Sequence, residues 1–188
     1  MSDLAVLLTP GAGSSRDHTS LVAIEVALAP HVVERLDFPY RIAGRRAPDR
    51  APVLLAHIRT AAEELVARAG VPADRLVLGG RSMGGRMCSM AVAEGLPACG
   101  LVLICYPLHP PGKPDNLRIA HLPAITVPCL FIHGTRDPFG SPDELTAATA
   151  MIPGPVSHVW VNGGRHDLKG ADARIASLVK DFIDAFSA

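Results

Sequence analysis

The sequence predicts an α/β fold in three layers, a mostly parallel sheet of about six strands covered by helices on both faces. Short apolar runs alternate with longer segments of helical period along the 188 residues, the pattern of strands joined by crossover helices. One of those runs ends in a glycine-rich turn that leads directly into a helical pattern, a junction typical of sheets that carry a site at their strand ends.

The first expected strand is residues 4–8. A helix over 18–29 follows, with Asp17 as the candidate cap, then a strand over 32–38. Over 51–69 the residues Leu54, Leu55, Ile58, Ala62, Leu65 and Val66 recur at helical spacing, and Gly70 stands where a left-handed cap belongs. A strand over 76–79, a helix over 83–94 and a strand over 101–105 come next. Residues 107–128 break the rhythm: Pro107, Pro110, Pro111, Pro114, Pro123 and Pro128 forbid one long helix, leaving an irregular excursion with a single helical turn near 116–121. The chain resumes with a strand over 129–133, a helix over 142–151 behind the candidate cap Ser141, a strand over 158–161 and a helix over 171–186. There is no repeat, linker or low-complexity tract, so residues 1–188 are expected to form one domain.

Composition narrows the function classes. Eighteen Lys and Arg balance eighteen Asp and Glu, so neither nucleic acid nor an anionic membrane is an expected partner. No apolar run approaches the roughly 20 residues of a membrane span. Met1-Ser2-Asp3 lacks the features of a secretory leader. The four cysteines, Cys88, Cys99, Cys105 and Cys129, show no Cys-x-x-Cys spacing and read as small core residues of a cytoplasmic protein, with no metal or other cofactor expected.

The most informative stretch is Gly80-Arg-Ser82-Met-Gly84, between an expected strand and an expected helix. A serine exposes its hydroxyl at such a junction only on a sharp, strained turn, which forces the residues two before and two after close together, where a Cβ would clash. The helix that follows points free amide groups, led by that of Met83, at the place where an oxyanion would form.

A serine hydroxyl needs a base, usually a histidine held by a carboxylate, and after such a turn the acid and the histidine follow in that order on loops behind later strands. Two loops fit. His133-Gly-Thr-Arg-Asp137-Pro offers Asp137, and Asn162-Gly-Gly-Arg-His166-Asp offers His166. Asp167 adjoins His166 too closely to be aimed at it, and His133, ending an apolar strand, reads as a buried structural histidine. His109 in the excursion is a candidate for the pocket border. His18, His31, His57, His121 and His158 read as surface or packing residues.

Two rival readings remain. Gly11-Ala-Gly13 after the first strand is able to cradle a pyrophosphate, with Asp37 near the offset of a ribose-binding acid, but Arg16 occupies the place of the third glycine and the serine turn goes unexplained. A catalytically inactive scaffold of the same fold is the other.

Three stretches together resemble the α/β-hydrolase superfamily, in particular its small dienelactone-hydrolase-like branch: Gly-Gly-Arg-Ser-Met-Gly-Gly-Arg at 79–86, Tyr-Pro-Leu-His-Pro-Pro-Gly-Lys-Pro at 106–114 and His-Gly-Thr-Arg-Asp-Pro-Phe-Gly at 133–140. The resemblance spans nearly the whole chain. It implies a parallel-sheet core, a triad of Ser82, Asp137 and His166, and hydrolysis of a small ester or acyl substrate without a cofactor. Against larger members, the two N-terminal strands and a lid domain are expected to be absent. Where the family often places His-Gly-x-Gly, this chain has Thr9-Pro10-Gly11-Ala12-Gly13, so the second oxyanion amide falls to Ala12 or, next to it, Gly13. Arg81, Tyr106 and His109 are expected at the pocket with Gly13. Arg16, Arg81, Arg136 and Arg165 lie beside the motifs, where they either give the mouth a field suited to an acidic substrate or, the simpler expectation, pair with carboxylates and face solvent.

Overall fold

A computed structural model describes residues 4–186. Its six strands are β1 (Ala5–Thr9), β2 (Val32–Arg35), β3 (Leu76–Arg81), β4 (Gly100–Ile104), β5 (Cys129–Gly134) and β6 (Val156–Val161). They form one sheet in the order β2-β1-β3-β4-β5-β6, every pair parallel. The helices are α1 (Thr19–Ala27), α2 (Pro39–Ile42), α3 (Ala51–Ala69), α4 (Met83–Ala93), α5 (Pro142–Thr149) and α6 (Asp172–Asp184).

The period of two along each strand divides the core into two layers. Ala5 and Leu7, Leu76 and Leu78, Leu101 and Leu103, and Cys129 and Phe131 face α3, α4 and α5, where they meet Leu54, Ile58, Met87 and Leu145. The alternate residues, among them Val6, Val77, Val102, Ile104 and Ile132, face α1 and α6 and meet Leu21, Ile24, Ile175 and Val179. Each such side chain contributes roughly 1.5–3 kcal/mol relative to exposure. The four inner strands are fully buried and the edge strands β2 and β6 only partly, as a sheet covered on both faces requires.

Several boundaries differ from expectation. β3 runs on past Gly79 through Gly80 and Arg81, paired with Leu103 and Ile104 of β4, because a Cβ at Gly80 would overlap its β1 partner Thr9 and only glycine pairs there. β2 stops at Arg35, and α2 begins soon after at Pro39, whose fixed φ suits a first helical position. The helical turn of the excursion is a 3₁₀ turn at Leu122–Ala124 rather than near 116–121, and a further one lies at Ala73–Arg75. His18, not Asp17, caps α1, accepting from the Ser20 amide. Gly70 adopts the left-handed cap, and Ser141 forms a capping box with Glu144, as their positions predict.

The chain leaves β1 toward one edge of the sheet and continues from β3 toward the other. That switch of direction opens a crevice at the carboxyl ends of β1 and β3, where ligands of open α/β sheets bind. No helix of the described residues is long and apolar enough to cross a membrane.

Candidate active site

Ser82 stands at the junction of β3 and α4 with φ 47° and ψ −118°. A non-glycine residue in that region costs of order 1–3 kcal/mol and persists only where the surroundings enforce it. They do. The Ser82 amide donates to the Ile104 carbonyl of β4 at 2.8 Å, and the flanking glycines let β1 press against the turn. A Cβ at Gly80 would overlap Thr9, lying 2.5 Å from its carbonyl oxygen and 2.9 Å from the Gly85 amide. One at Gly84 would run into the Pro10 carbonyl and come 2.5 Å from Thr9 Oγ1. The crowding that demands glycine comes chiefly from the end of the neighbouring strand, less from the approach of residues 80 and 84 to each other.

The loops after β5 and β6 are fastened together. The Arg136 amide donates to the Gly164 carbonyl at 2.8 Å, and the Gly163 amide to Thr135 Oγ1 at 2.8 Å. This clasp brings Asp137 beneath His166. The His166 Nδ1–H donates to Asp137 Oδ2 at 2.7 Å. That leaves Nε2 as the acceptor, 2.8 Å from the Ser82 hydroxyl. The Asp137 side chain is wholly buried; its Oδ1 accepts the Phe139 amide at 2.9 Å, and His133 Nε2 lies 3.5 Å from its Oδ2. His133 is itself fully buried and donates to the Gly140 carbonyl at 2.9 Å, with its pKa lowered chiefly by desolvation. The Phe139 ring covers the His166 imidazole, centroids 4.1 Å apart.

A cleft of about 540 Å³ opens over these groups, with Gly11, Ala12, Met83, Pro107 and Phe139 among its lining residues. Ala12 and Met83, the expected oxyanion amides, thus border the same space as Ser82, and Gly11 packs beside it, its Cβ position 3.5 Å from the Ser82 Cβ. Gly13 does not line the cleft: it is exposed, and its amide donates to the Tyr40 hydroxyl at 3.3 Å. Nor do Tyr106 and His109, two other residues expected there. Tyr106 is buried and donates its hydroxyl to the Arg118 carbonyl at 2.6 Å. His109 is buried beneath the excursion, Nδ1 against the Pro110 carbonyl at 2.9 Å. Their neighbour Pro107 reaches the cleft instead.

Arg81 borders the cleft, yet its guanidinium serves the framework. It donates to the carbonyls of His166 at 3.1 Å and Asp167 at 2.9 Å and to Ser20 Oγ at 3.3 Å, tying the serine turn to the histidine loop. Arg16, Arg136 and Arg165 are exposed and lie outside the cleft. Besides Arg81, two further arginines line it, Arg86 and Arg118, and so does His18, for all of which the sequence suggests no place in the pocket. Arg86 closes the quoted stretch at 79–86, but only the fold brings residues 18, 86 and 118 to one crevice.

Cys105, Asp137 and His166 form the one cluster among the described residues whose ligand atoms lie within 4.8 Å of one another. It suits a metal poorly. Burial pushes the Cys105 thiol up to about 12, and the other two atoms are bonded to each other. The four cysteines are unpaired; Cys88, Cys105 and Cys129 are buried and Cys99 is half-buried. The loop Gly11-Ala-Gly13 does not open a helix either: α1 starts at Thr19, and the Asp37 carboxylate accepts the Arg16 amide at 2.7 Å. A pyrophosphate cradle would lack its helix N-terminus.

Comparison with solved structures places the same architecture widely. Dienelactone hydrolase from Anabaena variabilis is 20% identical over 98% of this chain and 87% of its own, with a TM-score of 0.76. An alpha-beta serine hydrolase homologue from Coxiella burnetii is 15% identical over 96% of this chain and 85% of its own (TM-score 0.76). Est1E from Butyrivibrio proteoclasticus is 15% identical over 97% and 87% (TM-score 0.78). At such identities the likeness is one of fold. The sequence model of the alpha/beta hydrolase domain matches residues 2–186. This chain therefore belongs to the alpha/beta hydrolase domain family.

Proposed function

We propose that this protein is a serine hydrolase that cleaves small ester-type substrates through an acyl-enzyme, with Ser82 as nucleophile, His166 as base and Asp137 as the supporting acid. The observation that carries this reading is the unbroken chain of hydrogen bonds from the Asp137 carboxylate through His166 to the Ser82 hydroxyl, 2.7 Å and 2.8 Å long, at the mouth of a cleft. The kinship of the chain and the hydrolases that share its fold agree with it.

Ser82 Oγ attacks the carbonyl carbon as His166 Nε2 takes its proton, and the carbonyl electrons move to oxygen. The amides of Met83 and Ala12 receive that oxyanion, while Asp137 holds the tautomer and stabilises the imidazolium. On collapse the alcohol leaves with the proton from Nε2. Water then attacks the acyl group, giving its proton to Nε2; release of the acid restores Ser82. No step needs a cofactor.

Ser82→Ala is expected to lower turnover of a 4-nitrophenyl ester by several orders of magnitude, on the scale of triad removal in other serine enzymes. Stopped-flow hydrolysis by native and variant protein tests this; native-like turnover by the variant would overturn the assignment.

A further inference from the structure

The inner wall of the cleft carries positive charge that no carboxylate of the described residues pairs with. Arg86 lies one helical turn beyond Ser82 on α4, its amide donating to the Ser82 carbonyl at 3.0 Å. Its Nε is buried and has no hydrogen-bond partner among the described residues. Arg118, from the proline-rich segment, enters the same cleft and donates to the Pro107 carbonyl at 3.3 Å. Neither pairs with a carboxylate among the described residues. The titratable groups beside Arg86 are neutral: burial raises the Tyr106 hydroxyl, and burial followed by the charge of Arg86 lowers His121 to about 4. Burial and the charge of Arg86 also lower Arg118, so the two guanidinium groups repel each other. The single carboxylate on the cleft among the described residues, Asp167, belongs to the opposite loop and accepts the Lys169 amide at 3.4 Å. A partly buried cation pair without counter-charge, with an unused donor, is an arrangement that an oxyanion relieves.

We infer that Arg86 and Arg118 form an oxyanion subsite beside Ser82, selecting ester substrates that carry a carboxylate or phosphate group. This rests on the hydrolase reading for its reaction, though not for its binding. Arg86, anchored one turn along the helix from the nucleophile, fixes the distance between the anionic group and the scissile carbonyl. Arg118 closes on the same group from the segment that forms the cleft wall. Arg16, Arg136 and Arg165 lie outside the cleft, and Arg81 is engaged by the histidine loop.

Two measurements test it. Calorimetric titration with glutarate and, separately, inorganic phosphate reads the subsite without turnover. The native protein is expected to bind at least one of them, more weakly as salt is raised, and the tighter of the two distinguishes carboxylate from phosphate. Arg86→Gln and Arg118→Gln are each expected to weaken it by tenfold or more. Arg118, on an irregular segment, supplies the test alone if the helical Arg86 variant fails to fold. The second measurement compares kcat/KM for mono-4-nitrophenyl glutarate and 4-nitrophenyl pentanoate, which match in chain length. The native ratio is expected to favour the anionic ester, and each variant to lower that ratio by tenfold or more. Failure to bind either anion, or binding unchanged in both variants, overturns the subsite. Anion binding that the variants lose, in a protein whose Ser82 does not react with a fluorophosphonate, upholds the subsite and overturns the hydrolase reading instead.

Discussion

His166 touches both Asp137 and Ser82 directly, but Arg81 keeps Ser82 in its reach. Its guanidinium crosses from the last residue of β3 to the carbonyls of His166 and Asp167, and it is only 5% exposed, so competition from water is reduced on its side of those hydrogen bonds. Replacing it with methionine would leave those carbonyls unpaired, at a cost of about 1–3 kcal/mol for a buried polar group. Arg81→Met is therefore expected to lower the denaturation midpoint and to reduce kcat more than it raises KM, with fluorophosphonate reacting more slowly at Ser82. Unchanged kcat in a folded variant would mean the histidine loop is held by its clasp to the Asp137 loop alone. The three proposed catalytic residues were legible in the sequence because each sits in a short local pattern. The work of Arg81 was not, since its partners are two carbonyls 85 and 86 residues away and the Ser20 hydroxyl 61 residues away. Tyr106 and His109 pack away from the cleft, a direction that a place in a motif does not fix.

At the scale of elements, the serine turn is held by three neighbours: β1, β4 and α4. Thr9 Oγ1 donates to the Gly79 carbonyl at 3.1 Å, and the end of β1 lies where any side chain on Gly80 or Gly84 would go. Gly84→Ala must push the start of α4 away from Pro10, a displacement that overpacking data price at roughly 1–3 kcal/mol. It is expected to lower stability by that amount and to slow acylation of Ser82 more than tenfold, read by denaturant titration and phosphonate kinetics. Native-like values for both would show the turn to be more yielding than its contacts imply. The strands and most helices were readable from apolar period because each spans several residues of one pattern. The four-residue helix α2 and the 3₁₀ turns were not, having too few residues for any period to show. The β3 extension was hidden by its glycines, which signal a turn in sequence and a close strand approach in the fold.

For the whole molecule, burial of neutral histidines makes stability depend on pH. His121 accepts the protein interior at the cost of its charge, its Nε2 against Ser89 Oγ at 2.8 Å and its pKa lowered from 6.5 to about 4 by burial and then by Arg86. His133, His158 and His18 shift the same way, each chiefly through burial. A folded pKa below the unfolded one means that the unfolded chain binds more protons between the two values, so this stability is present above about pH 6.5 and is lost as pH falls towards 4. Urea midpoints measured from pH 7 to pH 4.5 are expected to fall, and His121→Gln to show a shallower fall. A variant with the native slope would remove His121 from the account. The reversal in the order of strand addition between β1 and β3 sets the remaining large-scale feature: it gathers residues 11, 12, 82, 86, 118 and 166 into one crevice, so that both the proposed chemistry and its proposed selectivity follow from sheet order.

The most direct test of the central claim is reaction of the native protein with a fluorophosphonate, followed by peptide mass mapping. The account predicts a single adduct, on the peptide that contains Ser82, absent from Ser82→Ala. A folded native protein that stays unlabelled, or an adduct on any other serine, would contradict it.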